Sequence, residues 1–344
     1  MLLTIGMATY DDFDGVYFSI QALRMYHDLT DCEILVVDSQ PERREDLENF
    51  CRSAGAKYIK APHLQGTSAP RQAVFDNASG DFVVCIDCHV LLEKDVISKL
   101  KEYIKQNPES KDLLQGPLWY DDLRNVSSHF EPVWNDHMWG TWNTDPKVHG
   151  NEPFDIPMQG LGMFGMKRTA WPGFNKLFRG FGGEEGYIHE KVRQRGGRSL
   201  CFPWMKWVHR FNRPNGVKYR LILEDRIFNY IIGHQELDMP LSPIINHFKD
   251  KIAHDKLIAI MTETAKYDAK GQILRGSVAA MTAQRKIKCI SLGPVIERAD
   301  CNCSAKFIHS CEKHGKCRTL LNLGDNIRNC QECTDYEPED PVES

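Results

Sequence analysis

The 344-residue sequence lacks long hydrophobic runs, a strong excess of one charge and a leader-like start. No stretch approaches the ~20 apolar residues that a membrane-spanning helix needs, so we expect no membrane span. The net charge of −4 predicts no broad attraction to nucleic acid or to an anionic membrane. The opening residues, MLLTIGMATYDDFDG, lack the basic segment of a signal peptide, and we therefore expect a cytoplasmic protein.

Cysteines are sparse over most of the chain and crowded near its end. Six of the twelve are scattered through the first 289 residues, and the other six lie between Cys301 and Cys333. A disulfide framework would need an export signal, so the crowded set favours a structural Zn²⁺ site that replaces a missing hydrophobic core. The candidate zinc ligands are Cys301, Cys303, Cys311, His314, Cys317, Cys330 and Cys333.

Within this set, two groups of candidate ligands are separated by twelve residues: Cys311, His314 and Cys317 form the first group, and Cys330 and Cys333 form the second. Cys317, Cys330 and Cys333 would supply three ligands, with Cys311 or His314 as the fourth. Cys301 and Cys303 would complete this site or form a second one. An iron–sulfur cluster and free thiols are the other interpretations of the same pattern.

Strand and helix patterns alternate over the first 95 residues. The segments LLTIGMAT, CEILVVD, AKYIKAP and FVVCID predict strands, with helical segments between them. This alternation predicts an α/β fold, a mostly parallel sheet with helices on both faces. Ligands of such sheets bind beyond the carboxyl ends of the strands, where Asp38 and Asp87 are expected to lie. The sequence therefore predicts a nucleotide site at this edge.

The middle of the chain changes in character. Residues 113–157 are rich in Trp, His, Asp and Pro and show little periodicity. Their four tryptophans would either line an acceptor cleft or pack a lid onto the sheet. These residues are Trp119, Trp134, Trp139 and Trp142. The segment FRGFGGEEG then predicts a helix that begins near Glu184, and residues 215–290 predict polar amphipathic helices.

Asp87 and His89 stand one residue apart at the end of a buried strand. Alternate side chains of a strand share one face, so these two side chains can grip one cation together. A carboxylate beside an imidazole suits Mn²⁺ or a similar ion, Mg²⁺ included, better than Ca²⁺. The other interpretation is a hydrogen-bonded Asp–His pair that caps the next helix.

The order of these features resembles one family. Along the chain stand TYDD on the first strand, an acid-ended second strand, Arg71 before an ASGD turn, the Asp-x-His, GLGMF, GGEE and His209. This order resembles GT-A glycosyltransferases, specifically family 2-like enzymes and the polypeptide N-acetylgalactosaminyltransferases, over roughly residues 1–215. The resemblance implies a metal-dependent glycosyltransferase that moves a sugar from a nucleotide-sugar donor, of the UDP type, to an acceptor hydroxyl.

The resemblance also implies how the donor nucleotide is held. Thr9, Asp11 and Asp38 would hold a uridine-type nucleoside, and Arg71 would lie near the diphosphate. A cation that bridges both phosphates would stabilise the leaving group as a Lewis acid.

The cation and the donor sugar involve residues farther along the chain. By the resemblance, Asp87, His89 and His209 would ligate Mn²⁺. The segment that contains Gly160 and Gly162 would form the floor of the donor-sugar pocket.

The pair Glu184-Glu185 is the candidate for the catalytic carboxylate. Family 2-like enzymes usually show Glu-Asp there, with the second residue as base, whereas the N-acetylgalactosaminyltransferases show Glu-Asn and retain configuration. This chain matches neither pattern. We predict inversion with Glu185 as the base and Glu184 hydrogen-bonded to a donor or acceptor hydroxyl. The other interpretation is first-turn acids that complement a helix dipole.

The expected domain organisation follows from these segments. Residues 1–215 form the GT-A catalytic domain, 216–298 a helical extension, 299–338 the zinc module and 339–344 an acidic tail. The acceptor stays open, and one candidate is a hydroxymethylated base in DNA positioned by the zinc module. A hypothesis of another class is a zinc-containing nucleic-acid-binding protein without catalysis. Acidic side chains balance the basic ones of the module, so the sequence shows no basic patch there.

Overall fold

The protein is described here by a computed structural model. It describes residues 2–213, 216–268 and 271, together with the backbone of 295–297, 307–311 and 316–320. The chain divides into two compact units, residues 1–229 and 230–344. The domain boundaries expected from the sequence remain predictions.

The first part of the first unit alternates strands and helices as predicted. The strands are β1 (Leu3–Thr9), β2 (Cys32–Asp38), β3 (Lys57–Lys60), β4 (Phe82–Asp87) and β5 (Val90–Leu92). The helices are α1 (Phe13–Tyr26), α2 (Glu45–Ser53), α3 (Ser68–Asn77) and α4 (Val96–Gln106). The strand segments are rich in β-branched and other apolar residues, which suits strands covered on both faces.

Residues 113–157 contain short strands where the sequence showed no regular pattern. They are β6 (Leu113–Gln115), β7 (Leu118–Trp119), β8 (Val126–Ser127), β9 (His129–Asn135), β10 (Met138–Asn143) and β11 (Phe154–Asp155). After them come β12 (Met163–Lys167), α5 (Glu184–Gln194), β13 (Ser199–Cys201), β14 (Trp207–His209) and α6 (Leu223–Glu236), with 3₁₀ turns at Pro146–His149 and Arg168–Ala170. Strands of two or three residues, such as β6, β7, β8 and β11, are too short to display a two-residue period.

The main sheet has eight strands in the order β11-β13-β6-β12-β4-β1-β2-β3. Strands β1 to β4 run parallel, and β12 lies antiparallel between β4 and β6. The carboxyl ends of β1, β2 and β4 therefore meet at one edge. A separate four-stranded sheet contains β5 and β14, which pair antiparallel with His209 opposite Val90.

Helices cover both faces of the main sheet. Val16 of α1 and Leu100 of α4 belong to the same buried cluster as Leu3 of β1. The opposite face receives α3, which approaches so closely that a Cβ on Gly6 would lie 2.1 Å from Val74 Cγ1. This arrangement confirms the predicted mixed α/β fold with a large, mostly parallel sheet.

In the second unit the helices are α7 (Ser242–Phe248) and α8 (His254–Thr264), in addition to the end of α6. Their buried residues include Ile244, Phe248, Leu257 and Met261. Three antiparallel strands follow: β15 (Val295–Glu297), β16 (Phe307–Cys311) and β17 (Lys316–Leu320). Within the described part of the chain, no helix combines the length and apolarity needed to cross a membrane.

Most of the predicted zinc ligands fall on residues that the structure does not describe. Cys301, Cys303, His314, Cys330 and Cys333 lie outside the described residues. Cys311 and Cys317 lie on β16 and β17, whose backbones pair with Cys317 opposite Ser310. The zinc module therefore stays a prediction from the sequence, as does the nucleic-acid-binding hypothesis that depends on it.

Candidate active site

A cavity of about 420 Å³ opens at the carboxyl ends of β1 and β4. Its walls include Thr9 from β1, Arg71 from α3, and Asp87 and His89 from the end of β4 and the turn after it. The edge of the sheet predicted to bind a ligand thus contains a cavity, and four predicted site residues line it.

Three predicted metal ligands come together at this cavity. The ligand atoms of Asp87, His89 and His209 all lie within 4.8 Å of one another. Asp87 Oδ2 is 3.4 Å from His209 Nε2, and the two imidazole rings are 4.7 Å apart between centroids. The pairing of β14 with β5 explains this contact, because it places His209 beside the turn that carries His89.

The chemistry of these three side chains fits a divalent cation. One carboxylate and two imidazoles form a mixed oxygen and nitrogen set that suits Mn²⁺-type ions. In addition, His209 Nδ1 is buried and has no hydrogen-bond partner among the described residues. The described protein groups thus leave one imidazole nitrogen of this group unpaired.

Arg71 connects Asp87 to Glu184. Its Nη2 donates to Asp87 Oδ1 at 2.8 Å, and its Nη1 donates to Glu184 Oε1 at 3.2 Å. Thr67 Oγ1 also donates to Glu184 Oε1. Burial opposes ionisation of Asp87, but the Arg71 charge and the His209 hydrogen bond outweigh it and hold the pKa of this carboxyl well below its usual range.

Asp12, which the sequence analysis did not select, lies at the same site. Its Oδ2 is 2.8 Å from His89 Nδ1, and its Oδ1 accepts a hydrogen bond from Gly15 N at the start of α1. Burial alone would lower the pKa of His89, but the neighbouring Cys88 and Asp12 raise it to about 10. Asp11, which was predicted to hold the nucleoside, forms an ion pair with Arg44 and does not contact His89 through any described hydrogen bond. The N-cap position of Asp12 before an amphipathic helix was the available signal.

The predicted nucleoside residues differ in their access to the cavity. Thr9 lines it, and its buried hydroxyl has no partner among the described residues. Asp38 is fully buried and binds Tyr58 Oη at 2.7 Å and Lys60 Nζ at 2.9 Å. The next residue, Ser39, lines the cavity instead. Asp11 pairs with Arg44 at 2.8 Å, in an adjoining cavity of about 290 Å³.

Gly160 and Gly162 lie beside the carboxyl end of β4. Gly162 O accepts a hydrogen bond from Asp87 N at 2.8 Å, and Gly160 O accepts one from Gln115 at 3.0 Å. A Cβ on Gly162 would lie 2.7 Å from the Trp207 ring, so the backbone can pass there only without a side chain. Neither glycine is among the described residues that line the cavity.

The two glutamates at the start of α5 have different environments. Gly182 and Gly183 precede them with φ of 93° and 94°, values that favour glycine. Glu184 is buried against Arg71, whereas Glu185 is half-buried. Burial, followed by the nearby Glu184 charge, raises the pKa of Glu185 to about 7. Neither glutamate is among the described lining residues.

Positive side chains after β14 form a further wall that the sequence analysis missed. Arg213, Lys218 and Arg220 line the cavity, together with Arg179. The concentration of Arg and Lys in the segment directly after His209 was the available signal. These charges make the cavity suited to an anionic ligand.

Comparison with known proteins supports one class. The sequence profile of Glycosyl transferase family 2 matches residues 4–170. No curated protein matches the chain in sequence. GalNAc-T7, solved with UDP, GalNAc and Mn²⁺, is similar to this chain with a TM-score of 0.56 and 14% identity, over 73% of this chain and 54% of that one. TarS of S. aureus gives a TM-score of 0.50 and 12% identity, over 92% and 60%.

The chain thus spans roughly half to three fifths of the length of these two solved proteins. The shared architecture is the GT-A fold. Taken together, the family match and the fold support a glycosyltransferase.

Proposed function

We propose that this chain is a metal-dependent glycosyltransferase that transfers a sugar from a UDP-type nucleotide sugar to an acceptor hydroxyl, with inversion at the sugar carbon. The observation that carries this proposal is the meeting of Asp87, His89 and His209 at a cavity on the carboxyl edge of the sheet. The family match over residues 4–170 and the GalNAc-T7 structure with UDP, GalNAc and Mn²⁺ support it.

Asp87, His89 and His209 would hold Mn²⁺ or Mg²⁺, which when bound supplies Lewis-acid stabilisation of the leaving diphosphate. Arg71 keeps Asp87 ionised, so its carboxylate stays available as a ligand. Lys218 lines the same cavity and would balance part of the diphosphate charge. The amino terminus of α3 reaches the cavity through Thr67 and Pro70, and such termini favour anions.

The nucleoside would bind at the ends of β1 and β2. Thr9 offers a hydroxyl that has no partner within the described part of the chain, and Asp11 lies in the adjoining cavity. Asp38 would act there through the loop it stabilises, because Gln40 N donates to its Oδ1 at 2.9 Å. Gly160 and Gly162 would keep the floor beside the donor sugar free of side chains.

Glu185 would take the proton of the acceptor hydroxyl. A pKa near 7 suits a general base at neutral pH, because the group is partly ionised and still binds a proton strongly. Glu184, held by Arg71 and Thr67, would orient a hydroxyl through the oxygen that has no partner among the described residues.

The acceptor would approach along the aromatic hairpin β9–β10. Trp134 and Trp139 lie 5.0 Å apart between ring centroids, and a Cβ on Gly186, next to Glu185, would lie 3.1 Å from Trp139 Cδ1. Flat rings at this position suit stacking on a sugar or on a base. Hydroxymethylated DNA therefore belongs in the acceptor panel beside simple glycans.

Donor binding gives the most direct test. A panel of nucleotide sugars is screened by thermal shift with and without Mn²⁺, because a ligand of the folded state raises its apparent stability. We expect a UDP-sugar to raise the melting temperature only with the metal. Asp87→Ala should abolish this response and sugar transfer, whereas Asp81→Ala, at the exposed opposite end of the same strand, should keep both. Full activity in Asp87→Ala would remove the proposal.

A further inference from the structure

The carboxylate of Asp12 joins the start of α1 to the imidazole of His89. Its Oδ1 accepts a hydrogen bond from Gly15 N at 3.0 Å and caps the helix. Its Oδ2 lies 2.8 Å from His89 Nδ1. Oδ2 also accepts a longer hydrogen bond from Cys88 Sγ at 3.6 Å. Because the helix cap holds Oδ1, it fixes the direction from which Oδ2 meets the ring.

This contact determines which ring nitrogen of His89 carries a proton. An ionised carboxylate only accepts hydrogen bonds, so Nδ1 must be the donor in this pair. The other neighbour of Nδ1, Cys88 Sγ, is at 3.5 Å and is the weaker partner. Nε2 is then the nitrogen left for a cation shared with Asp87 and His209.

We propose that Asp12 is a positioning residue that fixes the tautomer and the ring orientation of His89 for binding of the donor-site cation. The inference rests on the proposed function, because it needs a cation at the Asp87, His89 and His209 group. Carboxylates placed behind metal-bound imidazoles do this in other metal sites, and their loss typically costs about 10–100-fold in metal affinity. Asp12 itself contacts neither cation nor substrate in this role.

Asp12→Asn separates this role from the helix cap. Asparagine caps helices as well as aspartate does, so its amide oxygen keeps the bond from Gly15 N and its NH₂ group faces His89. Nδ1 must then accept, the proton moves to Nε2, and the nitrogen that the cation needs is blocked. We expect the Kd for Mn²⁺, measured by calorimetry with UDP present, to rise about 10–100-fold. The metal-free protein should still unfold cooperatively, at a lower melting temperature, because His89 loses its ionised partner.

Two further measurements keep the test decisive. Asp12→Ser retains a good N-cap residue but offers His89 no carboxylate, so we expect weaker Mn²⁺ binding there as well. Imidazole ¹⁵N shifts of the histidine-labelled metal-free protein should show a proton on Nδ1 of His89 in the wild type, in the charged and in the neutral ring alike. In Asp12→Asn the neutral ring should carry its proton on Nε2 alone. Wild-type Mn²⁺ affinity in Asp12→Ser would overturn the proposal. This outcome does not depend on how the amide group is oriented in Asp12→Asn.

Matched controls distinguish this inference from the proposed function. Asp14 is an exposed acid in the same first turn of α1, so Asp14→Asn removes an equal charge without a contact to His89 and should bind Mn²⁺ as the wild type does. An equal loss in Asp14→Asn would show a general charge effect and overturn the role of Asp12. If Asp87→Ala fails to bind while both Asp12 variants bind normally, only the role of Asp12 is lost. If the wild type binds no Mn²⁺, the proposed function fails.

Discussion

Replacing Arg71 by methionine tests whether the buried guanidinium of this residue stabilises the candidate site. Methionine keeps much of the apolar stem of arginine but removes the guanidinium that lies between Asp87 and Glu184. The Glu184 side chain is 1% exposed, so its carboxylate would stay buried with the Thr67 hydroxyl as its remaining partner among the described residues. The Asp87 side chain is 25% exposed, so water offsets part of the loss there.

The expected cost follows from these exposures. Removing one partner of a buried ion pair typically costs about 3–5 kcal/mol, because it leaves an uncompensated charge. Most of this cost falls on Glu184, and we expect the free energy of unfolding of the first unit to decrease by about 3–4 kcal/mol. Arg71→Lys keeps the charge but not the fork that reaches two carboxylates, so we expect an intermediate loss.

Tryptophan fluorescence during urea unfolding measures the free energy of unfolding of the first unit, because all seven tryptophans precede residue 230. Adding Glu184→Gln to Arg71→Met replaces the stranded charge by a neutral group of equal length, and the double variant should regain at least about 2 kcal/mol. A loss below about 1 kcal/mol in Arg71→Met, the range of exposed ion pairs, would refute the reasoning. Absence of recovery in the double variant would place the cost outside Glu184.

Three further predictions concern catalysis, packing and charge. Glu185→Gln should lower the rate of sugar transfer on the order of 10²–10⁴-fold. The wild-type kcat should decrease as the pH falls below about 7, because the base must be ionised, and a flat pH profile would contradict this role. Gly6→Ala should cost about 1–3 kcal/mol in the urea assay, because the new Cβ meets Val74 Cγ1 at 2.1 Å. Lys218→Ala should weaken UDP binding, most clearly at low salt, whereas replacing the exposed Lys105 by Ala should not. Equal UDP affinities of the two variants by calorimetry would show that Lys218 does not contribute to binding of the diphosphate.

The strand and helix order of the first 95 residues was predictable because its signals are local. Apolar runs rich in β-branched residues end in acids, and amphipathic segments with turn residues separate them. Among the strands of residues 113–157, β6, β7 and β11 pair with strands far along the chain, so no local pattern predicts these pairings. β6, for example, pairs with β13, which begins more than eighty residues later.

The candidate site divides in the same way. The spacing of Asp87 and His89 predicted a shared strand face, whereas in the structure β4 ends at Asp87 and His89 lies in the turn after it. His209 lies far along the chain and could be added only through the family resemblance. In the structure, the antiparallel pairing of β5 and β14 brings it to them. Of the adjacent acids Asp11 and Asp12, the resemblance selected only Asp11, for the nucleoside, and Asp12 beside His89 was not predicted. The positive φ of Asp11, 49°, turns the chain so that Asp12 faces the imidazole.

The two halves of the Asp-x-His are held from opposite faces of the sheet, and this explains why the motif alone is a weak signal. Asp87 is fixed by Arg71 from α3, which packs against the face where Gly6 lacks a side chain. His89 is fixed by Asp12 at the start of α1, whose buried residues join the core on the other face. The proposed cation site at this edge therefore requires both helix layers to be in place. A strand that ends in Asp-x-His without these two helix contacts would hold the same side chains in no fixed geometry. In this protein, charged groups from two different helices orient Asp87 and His89.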